Sequence, residues 1–230
     1  MTLDEAFAEI CLMDGPLNAR LAAYASKLRE LGFPWAEAYD DLVSRLYAGE
    51  VGKAAPAVGD VMPPFILPSK SGLQVSLEDL TGKGPVVVSF NRGHWCPFCK
   101  IQLQTITTYH HDIAAHGAQV VSIMPERQQF LDTVRAETLN SLLILTDIDN
   151  GYALSLGLVM WIGDRVKALM QGHGYQLDTW QGNDGWFLPV PATFVVGGDG
   201  RVVARFVDPD FRKRMGIGDI LEALKLARKS

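Results

Sequence analysis

The sequence is short of cysteine, of long apolar runs and of basic charge, and each shortage excludes a class of protein. Its three cysteines, Cys11, Cys96 and Cys99, are too few and too odd in number for a disulfide scaffold. The longest apolar runs, such as Pro85-Val86-Val87-Val88 and Leu142 to Leu145, fall far below the roughly 20 residues that span a bilayer. The opening Met1-Thr2-Leu3-Asp4-Glu5 is acidic, where a secretory signal needs a basic stretch followed by an apolar one. A cytoplasmic location is therefore expected. Lys and Arg total 21 against 26 Asp and Glu, for a net charge of −5, and no basic block could neutralise a phosphate backbone. Neither nucleic acid nor a membrane is an expected partner. With 48% hydrophobic and 20% charged residues in 230, the chain has the balance of an ordinary globular protein rather than of a disordered segment or coiled coil.

Apolar Ala6, Phe7, Ile10 and Cys11, then Leu17, Leu21, Tyr24, Ala25 and Leu28, recur at helical spacing. Gly15-Pro16 and Gly32-Phe33-Pro34 interrupt the stripe, which predicts three helices over about 3–13, 17–31 and 35–48. Between Gly49 and Pro64 the composition turns to Gly, Val, Pro and Ala, as in a linker. The expected division is a helical N-terminal extension over 1–55 and a second domain over 56–230. In the second domain strand-like and helix-like stretches alternate. Strands are predicted at 65–67, 85–90, 119–123 and 142–145, with helices over about 102–115 and 126–137. Such alternation argues for α/β layers around a largely parallel sheet. Residues 192–196 and 201–207 flank Gly197-Gly198-Asp199-Gly200 as a hairpin, and a last helix runs from Ile217 to Arg228 with basic residues near its end. Residues 157–190 break the pattern. Six glycines together with Trp161, Trp180, Trp186, Tyr175 and Phe187 make this insertion too aromatic for a solvated linker, so a lid or a subunit contact in a homodimer is expected.

The chemistry centres on Asn91-Arg92-Gly93-His94-Trp95-Cys96-Pro97-Phe98-Cys99-Lys100, between an apolar strand and a helix. Both sulfurs then fall at a helix N-terminus, where unpaired N–H groups and the dipole favour thiolate over thiol. Arg92, Lys100 and protonated His94 act in the same direction. The thiolate is the form that attacks disulfides and peroxides, and a second cysteine three residues on can resolve the sulfenic acid or mixed disulfide formed at the first. A zinc site is the alternative for a CxxC, but no second CxxC exists. His110, His111 and His116 lie at least ten residues beyond Cys99, roughly 15 Å along a helix. No metal is expected, and no cofactor beyond the redox-active Cys96–Cys99 pair. Cys11, at an apolar helix position, reads as an inert buried thiol.

Val87 to Leu103, with its Trp95-Cys96-Pro97-Phe98-Cys99 core, resembles the active-site segment of the thioredoxin superfamily. More narrowly, it resembles the peroxiredoxin-like proteins of the alkyl hydroperoxide reductase/thiol-specific antioxidant (AhpC/TSA) family. Val58 to Phe65 with Gly72 and Val75 to Leu80, Leu145-Thr146-Asp147 with Leu156-Gly157-Leu158, and Val190-Pro191-Ala192-Thr193-Phe194 are similar to further segments of that family, in the same order. The resemblance implies an α/β thioredoxin-like fold, a central mixed sheet flanked by helices, over residues 56–230. It also implies that Pro191 follows a cis peptide bond and positions substrate beside the sulfurs.

The resemblance departs from the usual peroxide-binding groups. With the family's attacking cysteine placed on Cys99, Cys96 stands where a threonine is usual, Arg92 where a proline is usual, and Pro191 where an arginine is usual. On the thioredoxin pattern Cys96 is instead the exposed attacker and Cys99 the buried resolver. Cys96 is favoured as nucleophile towards disulfides, and Cys99 stays a candidate towards peroxide. Arg92 either supplies part of the missing arginine's field or forms a surface ion pair. Trp95 shields sulfur from water, and Glu126 and Arg127 are expected to start the next helix. The expected function is a thiol-dependent antioxidant oxidoreductase reducing hydroperoxides through a dithiol/disulfide cycle, with a thioredoxin- or glutathione-type reductant. A protein disulfide reductase and a redox-sensing interaction module are the alternatives.

Overall fold

The computed structural model describes residues 2–32 and 34–227; Phe33, in the second predicted break, and Arg228, at the predicted end of the last helix, lie outside them. Three helices open the chain, α1 (Leu3–Leu12), α2 (Leu17–Glu30) and α3 (Trp35–Ala48), within a residue of their predicted bounds. The Thr2 hydroxyl accepts the Glu5 N–H while the Glu5 carboxylate accepts that of Thr2, a capping box that satisfies two otherwise unpaired donors of α1.

A small hairpin, β1 (Ile66–Pro68) and β2 (Gln74–Ser76), leads into α4 (Leu77–Thr81) and β3 (Val86–Phe90). The helix predicted from 102 starts earlier, with Pro97 in its first turn, and divides at Tyr109 into α5 (Pro97–Thr108) and α6 (His110–Ala115). Next come β4 (Gln119–Met124), α7 (Asp132–Glu137), β5 (Leu143–Thr146) and α8 (Gly151–Ser155). The 157–190 insertion is an ordered unit, with β6 (Val159–Trp161) pairing antiparallel with β7 (Phe187–Pro189) around α9 (Gly163–Gly172) and α10 (Leu177–Gln181). The chain ends with the hairpin β8 (Ala192–Val196) and β9 (Val202–Val207), then α11 (Ile217–Ala227). No helix among the described residues is long and apolar enough to cross a membrane.

The main sheet has the order β5-β4-β3-β8-β9. β5, β4 and β3 run parallel, β8 pairs antiparallel with β3 and β9 antiparallel with β8, giving the mixed sheet implied by the resemblance. Every residue of β3 is buried, as expected of a central strand covered on both faces. One apolar cluster, with Phe65, Val88, Phe90, Ile123 and Phe194, fills one face. Another, with Val87, Leu103, Ile106, Val120 and Leu224, fills the other. A third lies beyond the sheet, where α1–α3 and the insertion pack together on Cys96, Phe98, Cys99 and Ile101. Helix α5 is thus the seam between sheet and cover. Arg20, buried on α2, ties that seam together by donating to the carbonyls of Ile10 and Cys11 and to the Thr105 hydroxyl of α5.

One predicted helix start is displaced. The helix expected from Glu126 begins only at Asp132, after a 3-10 turn over Gln128–Phe130. The backbone of 126–127 is engaged elsewhere, since the Thr146 hydroxyl donates to the Glu126 carbonyl and the Arg127 N–H donates to Trp180.

Candidate active site

Strand β3 ends at Phe90, and Asn91 fixes the exit. Its N–H donates to the Ile123 carbonyl and its side-chain amide to Ser89 and Ser122. Gly93 then turns the chain with φ of +150°, where a Cβ would come within 2.4 Å of the Trp95 indole nitrogen and 2.8 Å of the Glu126 carboxyl carbon. The motif needs glycine there because no other residue leaves room for both neighbours. Cys96 is the N-cap of α5 and Pro97 opens its first turn, a position where the missing N–H does no harm.

Cys96 Sγ accepts from the Cys99 N–H at 3.4 Å and from Arg92 Nη2 at 3.1 Å. Cys99 Sγ accepts from the Arg92 N–H at 3.4 Å and faces Arg214 Nη2 at 3.7 Å. Burial opposes a charge on Cys96, but hydrogen bonding from Cys99 and the Arg92 and Arg214 charges outweigh it and hold its thiol well below the ordinary value. Burial, donation to Cys96 and the charge on Cys96 push Cys99 well above it. The site thus favours ionising Cys96 and keeping the proton on Cys99. Both sulfurs are 0% exposed. The expectation that Cys96 is exposed is thus overturned: α1–α3, the insertion and Phe211 close over the helix start.

Arg92 is 2% exposed, so it belongs to the site and not to a surface ion pair. Its guanidinium lies 4.0 Å from the Phe211 ring centroid, 5.3 Å from that of Trp95 and 5.8 Å from that of Tyr39. Such ring faces favour a cation electrostatically. Arg214, 1% exposed, donates to Gln102 Oε1 at 2.6 Å and to the carbonyls of Phe211 and Lys213. Asn18 holds its backbone through both N–H and carbonyl. Among the described residues neither guanidinium meets a carboxylate.

On the solvent side, Glu126 is wholly buried, and its two carboxylate oxygens accept the His94 N–H at 2.7 Å and meet His94 Nδ1 at 2.7 Å. Burial raises its pKa, with His94 pulling the other way. Trp180 and Tyr175, from the insertion, pack on Trp95 with ring centroids 6.4 and 5.5 Å apart, and Trp180 also meets the His94 ring edge-on at 4.7 Å. The insertion is thus a cover on the motif within one chain. The Trp95 indole nitrogen has no hydrogen-bond partner among the described residues. Beside Pro97, a crevice lined by Leu3, Tyr24, Trp35, Tyr39, Phe98 and Tyr175 offers about 20 Å³, room for little more than one water.

Of the sequence candidates, Cys96, Cys99, Arg92 and Trp95 come together. Pro191 is buried beside them, since the register Ser89↔Thr193 sets it against the segment leading into the motif and Val190 packs in the cluster of the cysteines. No peptide bond among the described residues is cis, so the Val190–Pro191 bond is trans, contrary to expectation. The Val190 N–H is taken by the Leu158 carbonyl, and Pro191 precedes β8, where a proline without a donor is tolerated. His116 and its neighbours sit on α6, away from the sulfurs. Cys11 is half-buried, with burial raising its thiol pKa. Among the described residues no three His, Cys, Asp or Glu groups converge as metal ligands. Arg214, Tyr39 and Phe211 escaped sequence reasoning, because nothing local marks an arginine 115 residues from Cys99 as its neighbour. Glu126 was noticed but given the wrong role.

The sequence profile of the AhpC/TSA family matches residues 58–205. No curated protein matches the chain in sequence. Among solved structures, the chain is similar to peroxidoxin BcpB from Mycobacterium tuberculosis, with 19% identity, 74% of this chain and 97% of that one covered, and a TM-score of 0.57. It is similar to reduced Prx3 from Vibrio vulnificus in complex with hydrogen peroxide, with 19% identity, 73% and 98% covered, and a TM-score of 0.58. A yeast mitochondrial 1-Cys peroxiredoxin is similar at 15% identity, with 75% and 78% covered and a TM-score of 0.55.

Proposed function

Because this chain belongs to the AhpC/TSA family and is a thiol oxidoreductase, we propose that it reduces hydroperoxides through a Cys96–Cys99 dithiol/disulfide cycle. The Cys96 thiolate attacks the terminal peroxide oxygen. An S–O bond forms, the O–O bond breaks, and the alkoxide leaves as alcohol after taking one proton, giving Cys96 sulfenic acid. Cys99 sulfur then displaces the hydroxyl as water, its own proton completing that water, and the S–S bond closes. Two external thiols, of a thioredoxin- or glutathione-type reductant, return the pair to its reduced form and leave as a disulfide. The cycle needs no cofactor, and three free thiols suit a reducing cytoplasm.

The observation that carries this reading is the Cys96 sulfur held by Arg92 at 3.1 Å in a site with no exposed sulfur. Such a site favours a small oxidant over the bulk of a protein disulfide. The guanidinium also stands where charge develops on the departing oxygen. Cys96, rather than Cys99, is the attacking sulfur because the field of the site ionises it and leaves its partner protonated. A disulfide reductase remains the second reading, favoured by the thioredoxin-like placement of Cys96 at the helix cap and Pro97 after it.

Stopped-flow oxidation of the reduced protein by hydroperoxide tests the assignment. The wild type is expected to react far faster than free cysteine, Cys96→Ser to lose at least about a thousandfold, and Cys99→Ser to react once and stop at sulfenic acid. A wild-type rate equal to that of free cysteine, with fast reduction of a model disulfide, would establish the reductase instead.

A further inference from the structure

The two guanidiniums at the sulfurs have a consequence for the other half of the cycle. Arg92 and Arg214 are buried, both point a nitrogen at a sulfur, and neither meets a carboxylate among the described residues. Arg92 Nε has no hydrogen-bond partner among the described residues. The nearby carboxylate of Glu126 is turned to His94 through both oxygens. In the reduced protein Arg92 faces the ionised Cys96 sulfur directly, and Arg214 faces the Cys99 thiol while its charge also acts on Cys96. Closing the disulfide removes the negative charge and leaves two buried positive charges held only by ring faces, carbonyls and the Gln102 amide. An uncompensated buried charge is strongly destabilising; the reduced form leaves one of the two cations without an anion and the oxidised form leaves both, so the penalty weighs more on the oxidised form. The hydrogen bond from the Cys99 N–H to the thiolate is weakened on the same side. A dithiol whose reduced form is stabilised in this way makes an oxidising disulfide.

We infer that the Cys96–Cys99 disulfide is a strongly oxidising couple that simple monothiols of the glutathione type reduce, so that oxidising equivalents pass from hydroperoxide to small thiols without a dedicated dithiol protein. The inference rests on the cycle proposed above. The step balances: the disulfide and two thiols give the Cys96 thiolate, the Cys99 thiol, one proton and the disulfide of the small thiol.

The test is equilibration of the full chain in glutathione buffers of graded ratio, followed by acid trapping, alkylation and mass spectrometry of the Cys96–Cys99 peptide. A thioredoxin-type dithiol protein is measured alongside. The equilibrium constant for reduction by glutathione is expected to exceed that of the thioredoxin-type couple by more than tenfold, each tenfold corresponding to about 30 mV. Arg92→Gln and Arg214→Gln are each expected to lower it by about tenfold, and Arg92→Lys to recover part of the loss. A wild-type constant within tenfold of the thioredoxin-type value, or folded glutamine variants with an unchanged constant, overturns the inference. Should the variants fail to fold, the wild-type constant decides alone. Oxidation by diamide without glutathione separates this failure from that of the cycle. A disulfide that forms there but resists glutathione overturns the inference only, whereas no Cys96–Cys99 disulfide under any oxidant overturns the cycle and the inference with it.

Discussion

On the sheet side of α5 the packing is chiefly aliphatic: Leu103 and Ile106 meet Val87, Val120 and Val195 over a hydrogen-bonded strand ladder. On the cover side the same helix turns Phe98 and the two cysteines towards rings. Tyr24 meets Phe98 edge-on at 5.2 Å, Tyr39 meets Phe211 at 5.0 Å, and Trp35, Tyr175 and Trp180 complete the wall. The cover side carries Arg92 within its rings, and Arg214 joins Cys99 to Gln102, which bonds Ser89 and Thr193 of the sheet. Both sides exclude water. Only the cover combines that exclusion with faces that accept a cation and a shape that closes over sulfur. The thioredoxin-like scaffold therefore presents the cysteine pair together with Arg92, and α1–α3, the insertion and the loop after β9 close its access, surround Arg92 with rings and add the charge of Arg214.

Truncating one large ring of the sheet core, on the face away from α5, and one of the cover tests that division. Phe90→Ala and Phe211→Ala each remove a fully buried phenyl group, and each is expected to lose about 3–5 kcal/mol in urea unfolding. Only Phe211→Ala should also move the ultraviolet titration of the Cys96 thiolate, because its ring covers Arg92. Equal shifts in the two variants would mean that the cover has no electrostatic role of its own.

A subtler change removes charge and keeps the shape. The folded Cys96 thiol is held well below its ordinary value, so its thiolate survives as pH falls and is lost only below that depressed pKa. Arg92→Gln should move this loss up towards the ordinary value of about 8.5. The rate with hydroperoxide at slightly acidic pH should fall by about tenfold, while the rate at high pH changes much less. A pH-rate profile of both proteins reads the shift directly.

The two sides also differ in how far the sequence foretold them. The sheet was legible because its signals are local: the run Pro85 to Phe90 is apolar but for Ser89, and Gly197 to Gly200 marks a hairpin turn between two β-branched stretches. The helices α1–α3 were legible from apolar spacing, and the poised cysteine pair from its place between strand and helix. Their convergence was not, because Arg214, Phe211 and Tyr39 reach the site across long separations that no periodicity encodes. The exposure expected of Cys96 failed for the same reason, since a helix start is open only until another element covers it. Glu126 was read as a helix start because residues after a strand commonly begin the next helix. Gly93 lacks the side chain that would have kept its carboxylate out.

Glu126 gives the smallest effect and the finest test of where the cover ends. Its carboxyl is buried on the cover's rim and serves His94, not sulfur. Because burial raises its folded pKa above the ordinary carboxylate value, its contribution to stability is complete below that ordinary value, about 4.3. That contribution is lost as pH rises through the folded value. Glu126→Gln keeps an acceptor for the His94 N–H and abolishes this titration. The variant should therefore show a flatter stability profile through mildly acidic pH, and at neutral pH it should differ from the wild type by no more than about 1–2 kcal/mol. The charge lost lies outside the Arg92–Arg214 pair, so the Cys96 titration should move little, and downward, because a negative charge near the thiolate has been removed. An upward shift as large as that of Arg92→Gln would instead make Glu126 part of the support of the sulfur site, and the boundary between presenting scaffold and charge-setting cover would have to be redrawn to include the end of β4.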